Sequence, residues 1–432
     1  MAIALQWVNS RAAILQVNQN PAHPSIYDTY PIYHSMATGL RDGRVGQIDL
    51  AALGRYASPH DFSAGYERLP PGVSHEWVNY YALDVGYLFL VEAARLAFPA
   101  LPDNHLRSLA LQLVADAGLV LFVFFVFSHW NLWLGLLAAW LYSSNLVASQ
   151  LVSLAFYYYW DIPLTFVVLG SLILALRRPT EAGGWLTLAG LALGFGVWLR
   201  GSWWPLSLVL LAVACSSPAL RKKLLVPVAA FALLAAPQVV RSSLARGHLT
   251  LTTRAVWHVA LVGLGYFPNP YGLELKDTTI FKLTKDKYGV DYNMVDYDVH
   301  EQAAKREFLS IWKNDRHFIV HSFLGRLNDS VVGSSESQSF SFFSNPGYRV
   351  LCLIGFLLMA VRGDDRRVVG LAAAGIYATY VLLTSMFFYV GLAYDNVTQV
   401  TLLIVFIGGI DALLYAGRRF FDCDGEWFAT AG

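Results

Sequence analysis

The stretch "FYYYWDIPLTFVVLGSLILALRR", residues 156–178, decides the class of this protein's fold. A long apolar run follows one carboxylate, Asp161, and the run ends in two arginines. A helix needs about 20 mostly apolar residues to cross a bilayer. Trp and Tyr are enriched where such helices meet the membrane surface, and Lys and Arg are enriched on the cytoplasmic side. The stretch therefore predicts a membrane span that begins with Asp161 at the outer surface.

Composition extends this prediction to the whole chain. Of its 432 residues, 56% are hydrophobic and only 14% are charged, and the mean hydropathy is +0.45. A soluble domain usually has about 25% charged residues. We therefore predict an all-α polytopic membrane protein. A net charge of +1 leaves no basic excess to neutralise phosphates, which argues against nucleic acid as a partner.

Several kinds of site have no motif in this chain. The three cysteines, Cys215, Cys352 and Cys423, have no C-x-x-C spacing, so we interpret them as inert buried thiols, without a metal site or a disulfide framework. The sequence also contains no Walker A, H-E-x-x-H or G-x-S-x-G motif, and no G-x-G-x-x-G after a strand. ATP-driven transport, soluble dinucleotide chemistry and serine hydrolysis are therefore disfavoured.

Apolar segments of suitable length recur along the chain and predict a bundle of about nine to eleven transmembrane helices with two extracytoplasmic loops. The candidate spans are 108–128, 131–148, 155–177, 185–199, 203–216, 224–240, 347–361, 367–390 and 396–415. We divide the chain into an N-terminal segment with the first loop (1–107), a helix bundle (108–240), a second large loop (241–346) and the C-terminal spans with a cytoplasmic tail (347–432).

Basic clusters give the expected orientation. They fall in alternate connections between the spans, at 177–178, 221–223, 362–367 and 418–419. Connections rich in Lys and Arg lie in the cytoplasm. Asp161, the segment 18–80 and the loop 241–346 are then all expected outside.

Two N-terminal segments are not predicted to be complete spans. Residues 80–99 contain Asp84, Glu92 and Arg95, and each charge at a bilayer centre costs at least about 2.5 kcal/mol, so we expect an interfacial helix. The apolar part of "MAIALQWVNSRAAILQV" (1–17) is too short and too interrupted to cross. It is either the end of a first span that a misassigned start codon has cut, which we favour, or a helix that lies flat in the interface.

The second large loop is expected to be ordered. Residues 298–327 have apolar side chains at helical spacing with basic residues between them, which predicts a helix that rests on the membrane surface. The Ser-rich tract 333–347 is typical of a loose connector.

Two carboxylates expected on the outer side are candidates for chemistry. Asp28 stands at the start of an amphipathic helix in "PSIYDTYPIYHSMATGLRDGRVG" (24–46), where an Asp commonly caps free backbone N–H groups. Asp161 could likewise be a solvated carboxylate at a helix start, but a carboxylate at the membrane surface is also a functional-site candidate. Two such groups in one cleft would suit a general base and an orienting or cation-binding group.

Basic residues at the outer ends of predicted spans each have two interpretations. Arg200, in "LAGLALGFGVWLRGSWWPL" (188–206), either extends toward lipid headgroups or binds a phosphate, since a guanidinium matches phosphate geometry. Arg241 and Arg246 form either surface ion pairs or part of a basic rim around an anionic substrate. Asp116 and Asp411, inside spans, are better explained as partners in helix packing.

Four motifs, in this order, resemble those of the GT-C superfamily of polytopic glycosyltransferases, which use polyprenyl-phosphate-linked sugars. The resemblance covers roughly residues 24–260, and the rest of the chain resembles the superfamily only in topology. The protein O-mannosyltransferase-like enzymes and the aminoarabinose transferase of lipid A are the most similar in pattern. The motifs are "YDTYPIYHSMATGLRDG" (27–43), "YYYWDIPLTFVVLGSLILALRR" (157–178), "LAGLALGFGVWLRGSWWPL" (188–206) and "PQVVRSSLARGHLTLTT" (237–253).

The chain departs from the family pattern at several places. Ser242 stands where the family has Asn, Thr29 replaces the second acid of the first motif, and the first span is not evident. "YDNVTQ" (394–399) replaces the R-Y-x-x-P pattern before the last spans.

The resemblance implies a reaction and a role for particular residues. Asp28 would be the general base that deprotonates an acceptor hydroxyl, and Asp161 would help to hold the donor or a divalent cation. Arg200 and Arg241 would bind the lipid phosphate. The resemblance also implies a bacterial inner or plasma membrane with the site on its extracytoplasmic side, and leaves a metal open.

The segments near these groups could contact substrate. Tyr30, His34 and Arg246 are candidates for a substrate-binding loop. The partners implied are a polyprenyl-phosphate-linked sugar donor, the lipid bilayer, and an acceptor that is a glycan, a lipid or a protein.

Two other classes of protein fit parts of the sequence. A secondary transporter could use Asp116, Asp161 and Asp411 as coupling residues, although we find no inverted repeat. A non-catalytic assembly protein of an envelope polysaccharide complex could have the same topology. A structure in which Asp28, Asp161 and Arg200 line one cavity would favour the transferase.

Overall fold

The computed structural model describes residues 1–18, 30–49, 77–79, 84–251, 256–290, 297–332, 345–362, 365–387 and 396–429. These residues are helical except for connections, a 3-10 turn (Tyr157–Trp160) and one antiparallel ribbon of two short strands, β1 (Gln47–Asp49) and β2 (Trp77–Asn79), with Ile48 opposite Val78. The all-α class is confirmed.

The helices are, in chain order, α1 (Ala2–Asn18), α2 (Tyr30–Arg41), α3 (Tyr87–Ala97), α4 (His105–Ser128), α5 (Leu132–Ser143), α6 (Leu146–Val152), α7 (Asp161–Arg177), α8 (Ala182–Leu199), α9 (Trp203–Ser216), α10 (Pro218–Arg221), α11 (Leu225–Arg246), α12 (Trp257–Leu264), α13 (Asp277–Tyr288), α14 (Tyr297–Asn314), α15 (Arg316–Val332), α16 (Pro346–Arg362), α17 (Asp365–Phe387) and α18 (Asn396–Ala429).

Six helices among the described residues are long and apolar enough to cross a membrane, so this is a multi-pass membrane protein. They are α4, α7 with its preceding turn, α8, α11, α17 and the first 22 residues of α18. The pair α5 and α6 adds a seventh crossing if the two are one span bent by 56°. Within the described part of the chain, the predicted segments 131–148, 203–216 and 347–361 correspond to this bent pair and to two shorter helices, α9 and α16.

Local hydrogen bonds explain the bend between α5 and α6. The Ser144 hydroxyl donates to the carbonyl of Trp140 at 2.9 Å and the side chain of Asn145 accepts from the backbone N–H of Ala148 at 3.0 Å. One residue thus ends α5 while the next caps α6. Caps of this kind satisfy the free backbone groups at helix ends.

Helix α7 lies at the centre of the bundle. It packs against α4, α8, α17 and α18, and most of its side chains are buried. A helix that is apolar on all sides is buried on all sides. This burial places Asp161, its first residue, inside the protein.

The C-terminal helices α16 and α18 approach each other closely. A Cβ added at Gly409 of α18 would lie 2.4 Å from the Cα of Gly355 of α16. Small residues at such contacts allow the backbones of membrane helices to pack tightly. The C-terminal spans are therefore held by backbone proximity as well as by apolar side chains.

The N-terminal helix α1 packs on α5 and α6 and brings a charge into the bundle. Arg11 is buried, and its Nε donates to Oδ2 of Asp116 at 3.0 Å. The indole of Trp7 and the hydroxyl of Tyr142 donate to the same carboxylate. Asp116 thus has the packing role that the sequence suggested.

The segment 80–99 forms the short helix α3, which is too short to span a bilayer, in agreement with the interfacial interpretation. Glu92 accepts hydrogen bonds from Arg95, at 2.8 Å from its Nε, and from Arg41. The bond from Arg95 is the main reason that the pKa of Glu92 lies below its usual value. Asp84, in contrast, is buried.

Residues 256–332 contain helices α12–α15 around a small core of their own, formed by side chains such as Leu261, Ile280 and Ile311. The amphipathic segment 298–327 is helical as predicted, but it is divided into α14 and α15. Asp315 makes this break, since its Oδ1 accepts from the backbone N–H of Phe318 at 3.0 Å and so caps α15. Its contact with a membrane surface stays a prediction.

Candidate functional site

One end of the bundle carries a buried aromatic cluster formed mainly by helices α2 and α3, residues 155–157 and residues 198–199. We call this cluster, together with the adjoining residues 158–161 and 200–203, the aromatic mouth. The ring of Tyr33 lies edge-on to the rings of Phe156, at 6.0 Å, and Tyr157, at 6.3 Å. Trp198 and Leu199 belong to the same core. The early segment, the tyrosine turn and the end of α8 therefore meet at one place.

Asp161 lies in the aromatic mouth with no exposed surface. Its Oδ2 accepts from Nη1 of Arg200 at 2.6 Å and from Nδ2 of Asn396 at 3.0 Å. Its Oδ1 accepts from the indole of Trp203 at 2.9 Å. Both carboxylate oxygens thus accept hydrogen bonds, from donors on three other residues.

Arg200 is equally enclosed, with 1% of its side chain exposed. Its Nη1 also donates to the hydroxyl of Tyr380 at 2.9 Å, and this hydroxyl donates to Oδ1 of Asn396. The guanidinium faces the ring of Tyr158 at 5.4 Å. A buried ion pair is tolerated only when further hydrogen bonds complete it, and this one has them. The arrangement commits Arg200 to Asp161, so a phosphate would have to compete with that carboxylate.

The sequence did not indicate several members of this network. Tyr380 and Asn396 come from the C-terminal spans, 180 residues or more from Arg200 along the chain. The Asp84 carboxylate accepts from the backbone N–H of Gly201 at 3.1 Å, while the Asp84 carbonyl accepts from the Tyr33 hydroxyl. The only signal for Asp84 was a charge in a semi-apolar segment.

Asp28 lies outside the described residues, and α2 begins two residues after it, at Tyr30. The Tyr30 hydroxyl donates to the carbonyl of Asn104 at 3.0 Å. Nε2 of His34 lies 3.5 Å from Oδ1 of Asp103. Tyr30 and His34 thus hold the start of α2 against the start of α4, and their contact with a substrate stays a prediction.

Arg241 borders an open pocket of about 560 Å³ beside the aromatic mouth. Its Nε donates to the carbonyl of Val45, in the turn after α2, at 3.4 Å. The other side chains around the pocket are apolar: Val45, Trp198, Pro237, Val240, Leu244 and Ala245. A guanidinium and apolar walls therefore share one opening.

Arg246, one turn further along α11, has a protein partner. Its Nη1 lies 2.7 Å from Oδ1 of Asp298 at the start of α14. This ion pair joins the end of α11 to the helices of the second loop. The structure thus gives Arg246 the surface partner that one interpretation expected.

The described residues contain no group of three or more His, Cys, Asp or Glu side chains arranged to hold a metal ion. A divalent cation near Asp161 would need its carboxylate oxygens, since Mg²⁺ and Ca²⁺ prefer oxygen ligands. Those oxygens face N–H donors and the positive charge of Arg200. The surroundings of Asp161 therefore do not fit a cation.

A second polar chain lies among α12–α14, and Phe281, which stacks on His258 at 5.0 Å, also packs against the aromatic mouth. Nδ1 of His258 is 2.9 Å from Nε2 of His300, and Nε2 of His258 is 2.9 Å from Oδ1 of Asp277. The Thr284 hydroxyl lies 3.2 Å from Nδ1 of His300. Burial lowers the pKa of His300 to about 3, and the neighbouring His258 adds to the effect. His300 is therefore neutral near pH 7.

Comparisons with known proteins gave fold-level likenesses only. No family model and no curated protein sequence matches the chain. The oligosaccharyltransferase AglB from Archaeoglobus fulgidus, solved with an inhibitory peptide and a dolichol-phosphate, is 13% identical with a TM-score of 0.46, over 80% of this chain and 44% of that one. The chain thus spans less than half the length of that protein.

ArnT from Cupriavidus metallidurans, solved with undecaprenyl phosphate, is 11% identical with a TM-score of 0.38, over 91% of this chain and 77% of that one. Both similar proteins are GT-C glycosyltransferases.

Proposed function

We propose that this protein is a membrane glycosyltransferase that takes a sugar from a polyprenyl-phosphate-linked donor and transfers it to an acceptor hydroxyl at the outer face of the membrane. The observation that carries the proposal is the pocket at Arg241. Its apolar walls suit a prenyl chain, and a guanidinium matches the geometry and charge of a phosphate. The turn after α2 forms one side of this pocket, which brings the segment after Asp28 close to the phosphate site.

The reaction that we propose is a direct displacement. The acceptor oxygen attacks the anomeric carbon while the bond from that carbon to the phosphate oxygen breaks. The acceptor proton passes to the Asp28 carboxylate, and the lipid phosphate leaves with the bonding electrons. Because the attack is from the face opposite to the leaving group, the anomeric configuration is inverted. Arg241 stabilises the charge that grows on the departing phosphate.

In this proposal Asp161 and Arg200 stabilise the conformation of the site. Their ion pair joins the start of α7 to the end of α8, and Asn396 adds the start of α18. This network fixes the tyrosine turn 157–160, against which α2 packs. We therefore assign to the pair a positioning role in the aromatic mouth, instead of direct contact with the phosphate.

The ion pairs disfavour the transporter alternative. Its three coupling carboxylates would have to bind and release a cation in each cycle. Asp161 is paired with Arg200, Asp116 with Arg11, and Asp411 with Arg366. A carboxylate already neutralised by a buried arginine is poorly suited to that task.

Binding of undecaprenyl phosphate to the purified protein in nanodiscs tests the proposal, with undecaprenol as the reference lipid. We expect the phosphate to bind more tightly than the alcohol, and Arg241→Ala to weaken its binding about tenfold or more, because a charge-assisted hydrogen bond contributes on the order of 1.5–3 kcal/mol. Arg221→Ala, at the opposite end of the bundle, is the control and should bind as the wild type does. Equal affinity for the phosphate and the alcohol would contradict the proposal.

A further inference from the structure

The turn between α2 and β1 contains two glycines with the same unusual backbone. Gly43 and Gly46 both have a φ of 73°, in the left-handed region that favours glycine. The turn itself is built by backbone bonds to the end of α2, such as that from Arg44 to the carbonyl of Gly39 at 2.9 Å. Backbone conformation alone therefore explains why both positions are glycine.

Their surroundings differ. A Cβ added at Gly46 would lie 2.1 Å from Nη2 and 2.6 Å from Cζ of Arg241. A Cβ added at Gly43 would meet no atom within 4 Å. The Arg241 guanidinium thus rests directly on the backbone of Gly46, in space that any other side chain would fill.

We infer that Gly46 is a positioning residue that sets the place of the Arg241 guanidinium at its pocket. An arginine side chain has several rotatable bonds, and an interaction that fixes it before binding reduces the entropy lost when a ligand binds. The Gly46 backbone and the Val45 carbonyl hold two sides of this guanidinium. A methyl group at position 46 forces the guanidinium away or separates the turn from α11.

This inference rests on the proposed function and extends it. The turn that supports Arg241 follows directly from α2, which begins two residues after Asp28. The phosphate site and the segment of the general base are therefore joined by one short stretch of chain.

The test compares Gly46→Ala with Gly43→Ala in the full chain, purified in detergent, with farnesyl phosphate as the probe and farnesol as its reference. Both substitutions put a side chain at the same positive φ, so they share the backbone strain. Only Gly46→Ala displaces the guanidinium. We expect it to weaken farnesyl phosphate binding about tenfold, or about 1.4 kcal/mol, and Gly43→Ala to leave the affinity within about twofold. Farnesol binding should be the same in both variants.

Measurements in the Arg241→Ala background distinguish the inference about Gly46 from the proposed phosphate site at Arg241. There, Gly46→Ala should have no further effect on farnesyl phosphate binding, because the group that it displaces is gone. Equal loss of affinity in Gly43→Ala and Gly46→Ala, or an undiminished effect of Gly46→Ala in that background, would overturn the inference. If Arg241→Ala itself binds farnesyl phosphate normally, the proposed function fails first.

Folding also tests the inference. Should Gly46→Ala not fold, we expect Arg241→Ala to restore folding, since it removes the clash. Failure of that rescue counts against the inference.

Discussion

At the scale of single residues, the carboxylates Asp161, Asp116 and Asp411 are each paired with a buried arginine, and this pairing decides which groups are available for chemistry. Asp161 and Asp116 each accept from a buried arginine and from aromatic donors. Such groups are well suited to fix helices and poorly suited to exchange protons. The general base of the proposed reaction is therefore sought in the early segment, at Asp28.

Asp28→Asn should abolish transfer without unfolding the protein, because an amide cannot accept the acceptor's proton. A positioned general base contributes about 10²–10⁴-fold to a rate, so we expect a loss of at least about 100-fold. The measurement is transfer of labelled sugar from a polyprenyl-phosphate donor. Asp42→Asn, an exposed carboxylate in the turn after α2, is the matched control and should retain activity. Full activity of Asp28→Asn would favour a scaffold protein.

Arg200→Ala should destabilise the protein strongly, because it leaves Asp161 buried without its cation. Removing one partner of a buried pair typically costs about 3–5 kcal/mol. The loss appears as a lower unfolding temperature in detergent. The double variant Arg200→Met with Asp161→Asn should recover much of it, since the uncompensated charge is gone.

The surface pair of Arg178 and Glu181 provides the comparison for this effect. Exposed pairs of this kind contribute about 0–1 kcal/mol, so Arg178→Ala should change the unfolding temperature little. Similar losses for Arg178→Ala and Arg200→Ala would contradict the role that we give to the buried pair.

At the scale of elements, the sequence predicted the ends of two helices that frame the site, whereas α11 extends to Arg246, beyond the predicted end of its span at residue 240. The start of the apolar run at Asp161 and the end of α8 before Arg200 agree with the structure. The sequence did not predict the bend between α5 and α6 at Ser144 and Asn145, or the break between α14 and α15 at Asp315. Both depend on single side-chain hydrogen bonds, which the spacing of apolar residues does not report.

The helices α12–α14 should loosen in mild acid because of His300. Its pKa of about 3 in the folded protein lies below the value of about 6.5 in an unfolded chain, so the unfolded chain binds the extra proton. The stabilisation that neutral His300 gives to the folded state is complete above about pH 6.5. It is lost as the pH falls toward 3, by about 1.4 kcal/mol per pH unit. His258, Asp277 and Glu301 are the titratable groups around it.

Hydrogen exchange of α12–α14 at pH 7 and pH 5 measures this effect, which should be about 2 kcal/mol over that interval. His300→Asn should remove most of the pH dependence, whereas His317→Gln, at an exposed position on α15, should keep it. Equal protection at both pH values in the wild type would be evidence against a neutral buried His300.

At the scale of the whole molecule, the positions of basic clusters predict the orientation of the chain. We expect Asp42 and Lys276 outside and Lys222 in the cytoplasm. Single cysteines at these positions, in a chain whose native cysteines are replaced by serine, can be labelled with an impermeant maleimide. Labelling of Asp42→Cys and Lys276→Cys in intact cells, and of Lys222→Cys only after permeabilisation, is the expected result. The reverse pattern would place the site in the cytosol.

The site itself was predictable only in part. The sequence indicated Asp161, Arg200 and Arg241 as polar groups at apolar helix ends. It could not show that Arg200 is paired with Asp161, while Arg241 borders a pocket, because that depends on how distant helices meet. Tyr380 and Asn396 were missed for the same reason, and the departure from the family pattern at residues 394–399 did not indicate a role for Asn396.

The most direct test of the central claim is a cryo-EM map of the full chain with undecaprenyl phosphate. We predict phosphate density within hydrogen-bonding distance of the Arg241 guanidinium, with the prenyl chain against Val240 and Leu244. Phosphate density at the opposite end of the bundle, or an empty pocket at saturating lipid, would contradict a lipid-phosphate site at Arg241.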